Sequence, residues 1–268
     1  MRDLIVCLAL DNGNGVGART QARMLHATAR FYGWEGDFLA IHNKQEDFYG
    51  HRGTRHAGDL EKRLDSAWKG RYESQNMKMH LDGLASFEGY DRVMFADVDT
   101  LFLANPLEMF DASTADVSFA REPRPITDAP FISHMSRAEL DAFPKGTKGV
   151  NSGQFVIRNN RANEVWARWR ANGTAEHHHH HKALQDQGPF NRMLFIDDHS
   201  WEIEEFPEGF VKFPWMSRRL SDHWNAKFTH YCGWSGVPKM RAGLQEFLGL
   251  VAQKGDHEDT ALKIMEML

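Results

Sequence analysis

Arg92-Val93-Met94-Phe95-Ala96-Asp97-Val98-Asp99-Thr100-Leu101-Phe102-Leu103-Ala104-Asn105-Pro106 is the stretch on which the fold is decided. Its first five residues are of strand length, apolar from Val93 to Ala96, and deliver two aspartates one residue apart. In a continuing strand Asp97 and Asp99 point the same way, because strand side chains alternate with a period of two. Two carboxylates converging at a strand end suit a hard divalent ion such as Mn2+ or Mg2+. Such ions take oxygen ligands and leave positions open for substrate phosphates. The plain alternative is an Asp-rich turn that caps a strand with no metal. The apolar flanks count against it, since neighbouring carboxylates beside buried apolar residues are costly unless a positive group compensates them.

Upstream of this stretch, Leu4 to Leu10 is a second continuous apolar run, followed by a turn-rich segment from Asp11 to Gly17. Apolar residues then recur at helical spacing from Ala18 to Trp34, with the end placed near Gly33, and Gly36 to Asn43 reads as another short strand. This strand–helix–strand start predicts an α/β domain that binds its ligand near the carboxyl ends of the strands. Positions 44–70 are charged and irregular and read as a surface loop, and Tyr72 to Phe87 as a helix with Met77, Leu81 and Leu84 on one face.

Downstream, Asp116 to Ala120 and Gln154 to Arg158 read as strands separated by a Pro-rich stretch. Ala162 to Arg170 reads as a helix carrying Trp166 and Trp169. Glu202 to Phe213 mixes short strands with a turn at Pro207-Glu208-Gly209, and 240–268 reads as two amphipathic helices. His177 to His181 is read as a solvated loop, without a catalytic role.

The 268 residues suffice for one large domain with a sizeable core. A net charge of -5 supplies no basic field for nucleic acid or an anionic membrane. Two cysteines far apart, Cys7 and Cys232, are neither a disulfide framework nor a zinc site. The N-terminal apolar run is too short to span a bilayer and is not followed by a cleavage site. The expectation is therefore a cytoplasmic protein without a transmembrane segment.

Four motifs in order carry a resemblance. Phe95-Ala96-Asp97-Val98-Asp99 through Pro106 resembles the Asp-x-Asp segment of GT-A-type glycosyltransferases, near the glycogenin-like and galactosyltransferase-like retaining group (family 8-type). Val150-Asn151-Ser152-Gly153-Gln154 resembles the Asn-Ser/Ala-Gly strand motif of that group. Asp186-Gln187-Gly188-Pro189-Phe190-Asn191 resembles its Asp-Gln…Asn motif, and Phe228-Thr229-His230-Tyr231-Cys232-Gly233 its late His-x-x-Gly segment. The chain departs from that last motif: Lys239 is displaced from the position where the group has a lysine.

The resemblance implies a Rossmann-like GT-A fold with a mixed central sheet flanked by helices, in a single domain with a C-terminal helical tail. It covers residues 1–239, with a nucleotide-binding half to about 105 and an acceptor-side half after it. It implies that Asp97, Asp99 and His230 ligate Mn2+ or Mg2+. Leu10, Asp11, Asn12, Lys78, Asp97, Val98, Asn151, Ser152, Gly153 and Gly233 would bind the donor, a UDP-sugar. Asp186 and Gln187 would be catalytic. The acceptor is left open among a glycan, a lipid-linked sugar, a protein and a small molecule.

Plain structural readings stand beside these: a core histidine for His230, a tight turn for Asn151 and Gly153, a helix cap for Asp186, and a solvated helix lysine for Lys78. Aromatic faces stack on sugar rings, so the late tryptophans Trp201, Trp215, Trp224 and Trp234 read either as packing or as an acceptor platform. Three other functions compete with this one. A haloacid-dehalogenase-type phosphatase needs its Asp-x-Asp-x-Thr near the N-terminus, whereas Thr100 comes one residue early and far into the chain. A sugar-1-phosphate nucleotidyltransferase needs a Gly-rich, basic loop after strand one, and only Arg19 lies beyond these glycines. A sugar-nucleotide-binding protein without turnover is the non-enzymatic alternative.

Overall fold

A computed structural model describes residues 1–10, 17–44, 47–49, 56–64, 77–174, 186–213 and 226–231, with 240, 242 and 245. Asp11, Asn12, the beginning of the expected helix at 72–76, His177–His181, Trp215, Trp224, Cys232, Gly233, Trp234, Lys239 and nearly all of the tail lie outside the described residues. In chain order the strands are β1 (Asp3–Ala9), β2 (Asp37–His42), β3 (Asp59–Arg63), β4 (Arg92–Ala96), β5 (Thr100–Phe102), β6 (Val117–Pro125), β7 (Lys148–Arg158), β8 (Ile203–Glu205), β9 (Val211–Lys212) and β10 (Phe228–His230). The helices are α1 (Ala18–Phe31), α2 (Leu81–Leu84), α3 (Leu107–Ala112), α4 (Arg137–Ala142), α5 (Ala162–Thr174) and α6 (Gln187–Phe195). Among the described residues no helix is long and apolar enough to cross a membrane.

The chain divides into two compact units that interleave in sequence. Unit I comprises Met1–Asp3, Trp68–Phe95 and Ser113–Phe206; unit II comprises Leu4–Ala67, Ala96–Ala112 and Pro207–Leu268.

In unit II, β1 and β2 run parallel, from Leu4 opposite Asp37 to Ala9 opposite His42. Parallel neighbours need a long crossover, and α1 supplies it. Gly33, at φ +85°, closes α1: its N–H reaches the Arg30 carbonyl at 3.0 Å, and the Trp34 N–H reaches that of Ala29 at 3.0 Å. This is the Schellman arrangement, and a left-handed φ there is the reason for glycine.

The expected loop at 44–70 is corrected in its described parts. Asp59–Arg63 forms β3, parallel to β2, and Phe48 is fully buried. Asp59 anchors this edge from inside. Its Oδ1 accepts from Arg30 at 2.6 Å and lies 2.8 Å from His26 Nε2. Burial opposes ionisation of Asp59, yet hydrogen bonds from His26 and Arg30 hold its carboxyl well below the usual carboxylate range. Burial also drives His26 below its ordinary pKa, against the pull of Asp59.

A second, three-stranded sheet of unit II has the order β5-β10-β9. β10 pairs antiparallel with β5, with His230 opposite Thr100, and parallel with β9. Met24 and Ala27 of α1 pack with Leu101, Leu103, Ala226, Tyr231 and Met240 beneath it.

In unit I the strand order is β4-β7-β6-β8. β6 and β7 are antiparallel, and β6 and β8 parallel. Phe155 of β7 is the aromatic hub, with ring centroids 5.4 Å from Phe95, 5.6 Å from Trp166, 5.8 Å from Trp169 and 4.8 Å from Phe190. Both strands exceed the spans read from sequence, since β6 continues to Pro125 and β7 begins at Lys148. Within the helix expected to run to Phe87, Met77 and Lys78 are helical, residues 79–80 turn, and the chain is extended at Ala85, where the four-residue α2 ends. Gly83 lies inside it, and an interior glycine weakens a helix by about 1 kcal/mol relative to alanine.

Candidate active site

The aspartates at the end of β4 are not on a continuing strand. β4 stops at Ala96, residues 97–99 turn, and Thr100 opens β5 in the other sheet. The Thr100 hydroxyl donates to the Asp97 carbonyl, and the Tyr231 N–H donates to the Asp99 carbonyl at 2.8 Å. The turn is thereby fastened to β10, the strand that carries His230.

That fastening gathers three side chains able to ligate a metal within unit II. His230 Nε2 lies 3.1 Å from Asp99 Oδ1 and 3.6 Å from Asp97 Oδ2. One ligand atom from each of the three lies within 4.8 Å of the others. His230 is buried, while Asp97, Val98 and Asp99 are half-buried. Two carboxylates and an imidazole make a mixed oxygen–nitrogen donor set that fits Mn2+, and Mg2+ less well because of the nitrogen. Leu10 is buried just after β1. Burial, reinforced by the Asp97 charge, pushes the Cys7 thiol far up, so it is a neutral packing group and not a nucleophile.

Unit I gathers a second polar group. Asp186 is buried at 2 % exposure, and its Oδ2 accepts from Lys78 Nζ at 3.1 Å and from Ser152 Oγ at 2.8 Å. It stands at the head of α6 but makes no side-chain capping bond. The helix-cap reading therefore fails, and its Oδ1 is buried without a hydrogen-bond partner among the described residues. Lys78 is not a solvated helix lysine; its side chain is 14 % exposed and paired. The two tryptophans of α5 hold both backbones, Trp166 Nε1 donating to the Lys78 carbonyl at 3.0 Å and Trp169 Nε1 to that of Asp186 at 2.9 Å. Trp201, by contrast, is buried, stacks on His199 and donates to Glu164, which makes it packing and not a platform.

Asn151, Ser152 and Gly153 form no turn ahead of a strand; they lie within β7. Phe119 faces Phe155 and the next residue, Ala120, faces Asn151, so one step along β6 spans four along β7. The three residues between, Ser152 to Gln154, bulge from the ladder. Asn151 stabilises the bulge by accepting the Gly153 N–H at its own Oδ1, at 2.7 Å, a local side-chain-to-backbone bond typical of asparagine.

Sequence reading missed Glu122. It is 1 % exposed in β6 and accepts at Oε1 from Asn151 Nδ2 at 2.6 Å and from Gln187 Nε2 at 2.8 Å. Arg124 Nε donates to its Oε2 at 2.7 Å. The one sequence signal was an acidic residue between an apolar strand and Pro123, in Phe119-Ala120-Arg121-Glu122-Pro123.

Comparison with known proteins agrees with this geometry. No curated protein matches the chain in sequence. Among solved structures the chain is similar to WbbM, a bifunctional glycosyltransferase in its apo form, with TM-score 0.58 and 13% identity over 87% of this chain. That likeness shows a GT-A-type fold, and the chain spans 46% of that protein's length. The family described as nucleotide-diphospho-sugar transferase matches residues 69–228, which include Lys78, Asp97, Asp99, Glu122, Asn151, Asp186 and Gln187 and end just before His230. With more than half of its length matched, the chain belongs to the nucleotide-diphospho-sugar transferase family.

Proposed function

We propose that the protein is a glycosyltransferase that moves a sugar from a UDP-sugar to an acceptor in a reaction that depends on Mn2+ or Mg2+. The observation that carries this is the grouping of Asp97, Asp99 and His230 in a chain of this family. When bound there, the ion neutralises charge that develops on the departing diphosphate.

The protein's own residues do the rest of the work. Asp97, Asp99 and His230 hold the ion, and Leu10, Asp11, Asn12, Val98 and Gly233 receive the nucleotide. Asp186 is immobilised through Oδ2 by Lys78 and Ser152, and its unpartnered Oδ1 accepts from a donor-sugar hydroxyl. Asn151, Ser152 and Gly153 line the sugar, and Gln187 faces the reacting carbon. Retention of configuration, the family 8-type assignment and a transferase domain over 1–239 follow from the motif resemblance. A cytoplasmic setting is part of this reading. The acceptor is a glycan, a lipid-linked sugar, a protein or a small metabolite.

The test is thermal unfolding with UDP and Mn2+. The pair is expected to raise the melting temperature of the wild type and to leave Asp99→Ala unmoved. The absence of any wild-type shift would contradict the reading.

A further inference from the structure

The buried carboxylate of Glu122 belongs to none of the four motifs, yet three side chains converge on it. Its Oε1 receives both the Asn151 and Gln187 amides, and Arg124 occupies Oε2. An ionised carboxylate has no proton to give and accepts only. Each amide must therefore turn its NH2 group toward Glu122 and its carbonyl oxygen away. An amide's two ends are otherwise close to interchangeable in shape, so this contact decides which one each residue offers elsewhere.

For Asn151 the outward oxygen is used internally, on the Gly153 N–H of the β7 bulge. For Gln187 it is not. Nε2 is bound to Glu122 and the backbone carbonyl accepts from Asn191 Nδ2 at 2.9 Å, while Oε1 has no hydrogen-bond partner among the described residues and is not among the fully enclosed polar atoms. Both segments that carry Glu122 and Asn151 leave the regular ladder. The β6–β7 pairing shifts register at Phe119/Ala120 and again at Arg121/Pro125. The irregular backbone places one carboxylate within reach of two amides on different elements.

We propose that Glu122 is a positioning residue that sets the polarity of Gln187, so that Gln187 presents a carbonyl oxygen, and not an amide NH2, to the donor sugar. An oxygen there can face a carbon that gains positive charge as the leaving group departs; an NH2 group would oppose it. This inference rests on the transferase reading above. Arg124 fills Oε2, and Asn151 holds Glu122 from the second side.

The experiment is a double-mutant cycle on donor hydrolysis with Mn2+, using Glu122→Gln, Gln187→Met and the pair. Glutamine at 122 can donate as well as accept, which lets the Gln187 amide reverse. Glu122→Gln is expected to lower kcat at least tenfold with the donor KM within threefold, and Gln187→Met to lower kcat comparably. In the Gln187→Met background, Glu122→Gln should change kcat by less than twofold, because the residue through which it acts is gone. A structural role would instead give multiplying effects, or a loss that tracks the melting temperature, and either result overturns the proposal. So does a kcat for Glu122→Gln within twofold of wild type. If Glu122→Gln does not melt cooperatively, Glu122→Met, which removes the acceptor, is measured in the same cycle against the same criteria. Failure of the underlying reading is seen separately: wild type then hydrolyses no nucleotide-sugar before any variant is compared.

Discussion

His230 Nε2 stands 3.1 Å from Asp99 Oδ1 across 131 residues of sequence. The pairing of β10 with β5 makes this possible, because it sets His230 opposite Thr100 and ties Tyr231 to the Asp99 carbonyl. The loss of an outer-shell partner alone costs a metal site about 10–100-fold in affinity. His230→Ala is therefore expected to weaken Mn2+ binding by at least about tenfold, about 1.4 kcal/mol, in a calorimetric titration with UDP present. An unchanged affinity would remove His230 from the ligand set.

Lys78 and Asp186 form a buried ion pair at 3.1 Å, with side chains 14 % and 3 % exposed. Removing one partner strands a charge, at a cost of about 3–5 kcal/mol for a fully buried pair; the partial exposure of Lys78 places this case toward the lower figure. Lys78→Met should destabilise the protein by about 3 kcal/mol, and Lys78→Met with Asp186→Asn should recover most of it. Denaturant unfolding of the two variants checks this; a double variant no more stable than Lys78→Met would contradict the pairing.

Stability is expected to fall on acidification below neutral pH. His26 has a folded pKa below its ordinary 6.5, so the unfolded chain binds a proton that the folded chain resists. Asp59 is held low by His26 and Arg30, so its contribution is present above the ordinary carboxylate pKa and is lost as pH drops toward its folded value. Both terms make the unfolded state the better proton binder, hence stability rises with pH. Melting temperatures between pH 7 and 5 should decline, and His26→Gln should flatten that decline. A wild-type profile that rises toward pH 5 would contradict the sign.

Phe155→Ala should cost about 3–5 kcal/mol, because Phe155 fills the space between Phe95, Trp166, Trp169 and Phe190. The same variant should lose activity, since the tryptophans it supports hold the Lys78 and Asp186 backbones. A loss below about 1 kcal/mol in chemical denaturation would mean that the hub repacks.

What could be read from sequence follows from burial. Leu4 to Leu10 and Val93 to Ala96 were legible because strands covered on both faces are written as unbroken apolar runs. Asp59-Leu60-Glu61-Lys62-Arg63 was not, because β3 ends the strand order and can carry charge on its outer positions. The bulge at Ser152 to Gln154 was legible as a motif but not as a shape, since the register between β6 and β7 is set by long-range pairing. Glu122 left almost no trace, because a glutamate in sequence is ordinarily a surface residue and only its three partners make it otherwise. Asp97 and Asp99 were found for a partly mistaken reason: they converge through a turn, not through strand alternation.

Donor hydrolysis across a panel of nucleotide-sugars, with Mn2+ and again with EDTA, is the most direct test of the metal-dependent transferase account. The prediction is slow hydrolysis of a UDP-sugar that requires Mn2+, stops with EDTA and is absent from Asp99→Ala. Hydrolysis that survives EDTA and Asp99→Ala, or no hydrolysis of any donor by well-folded wild type, would contradict it.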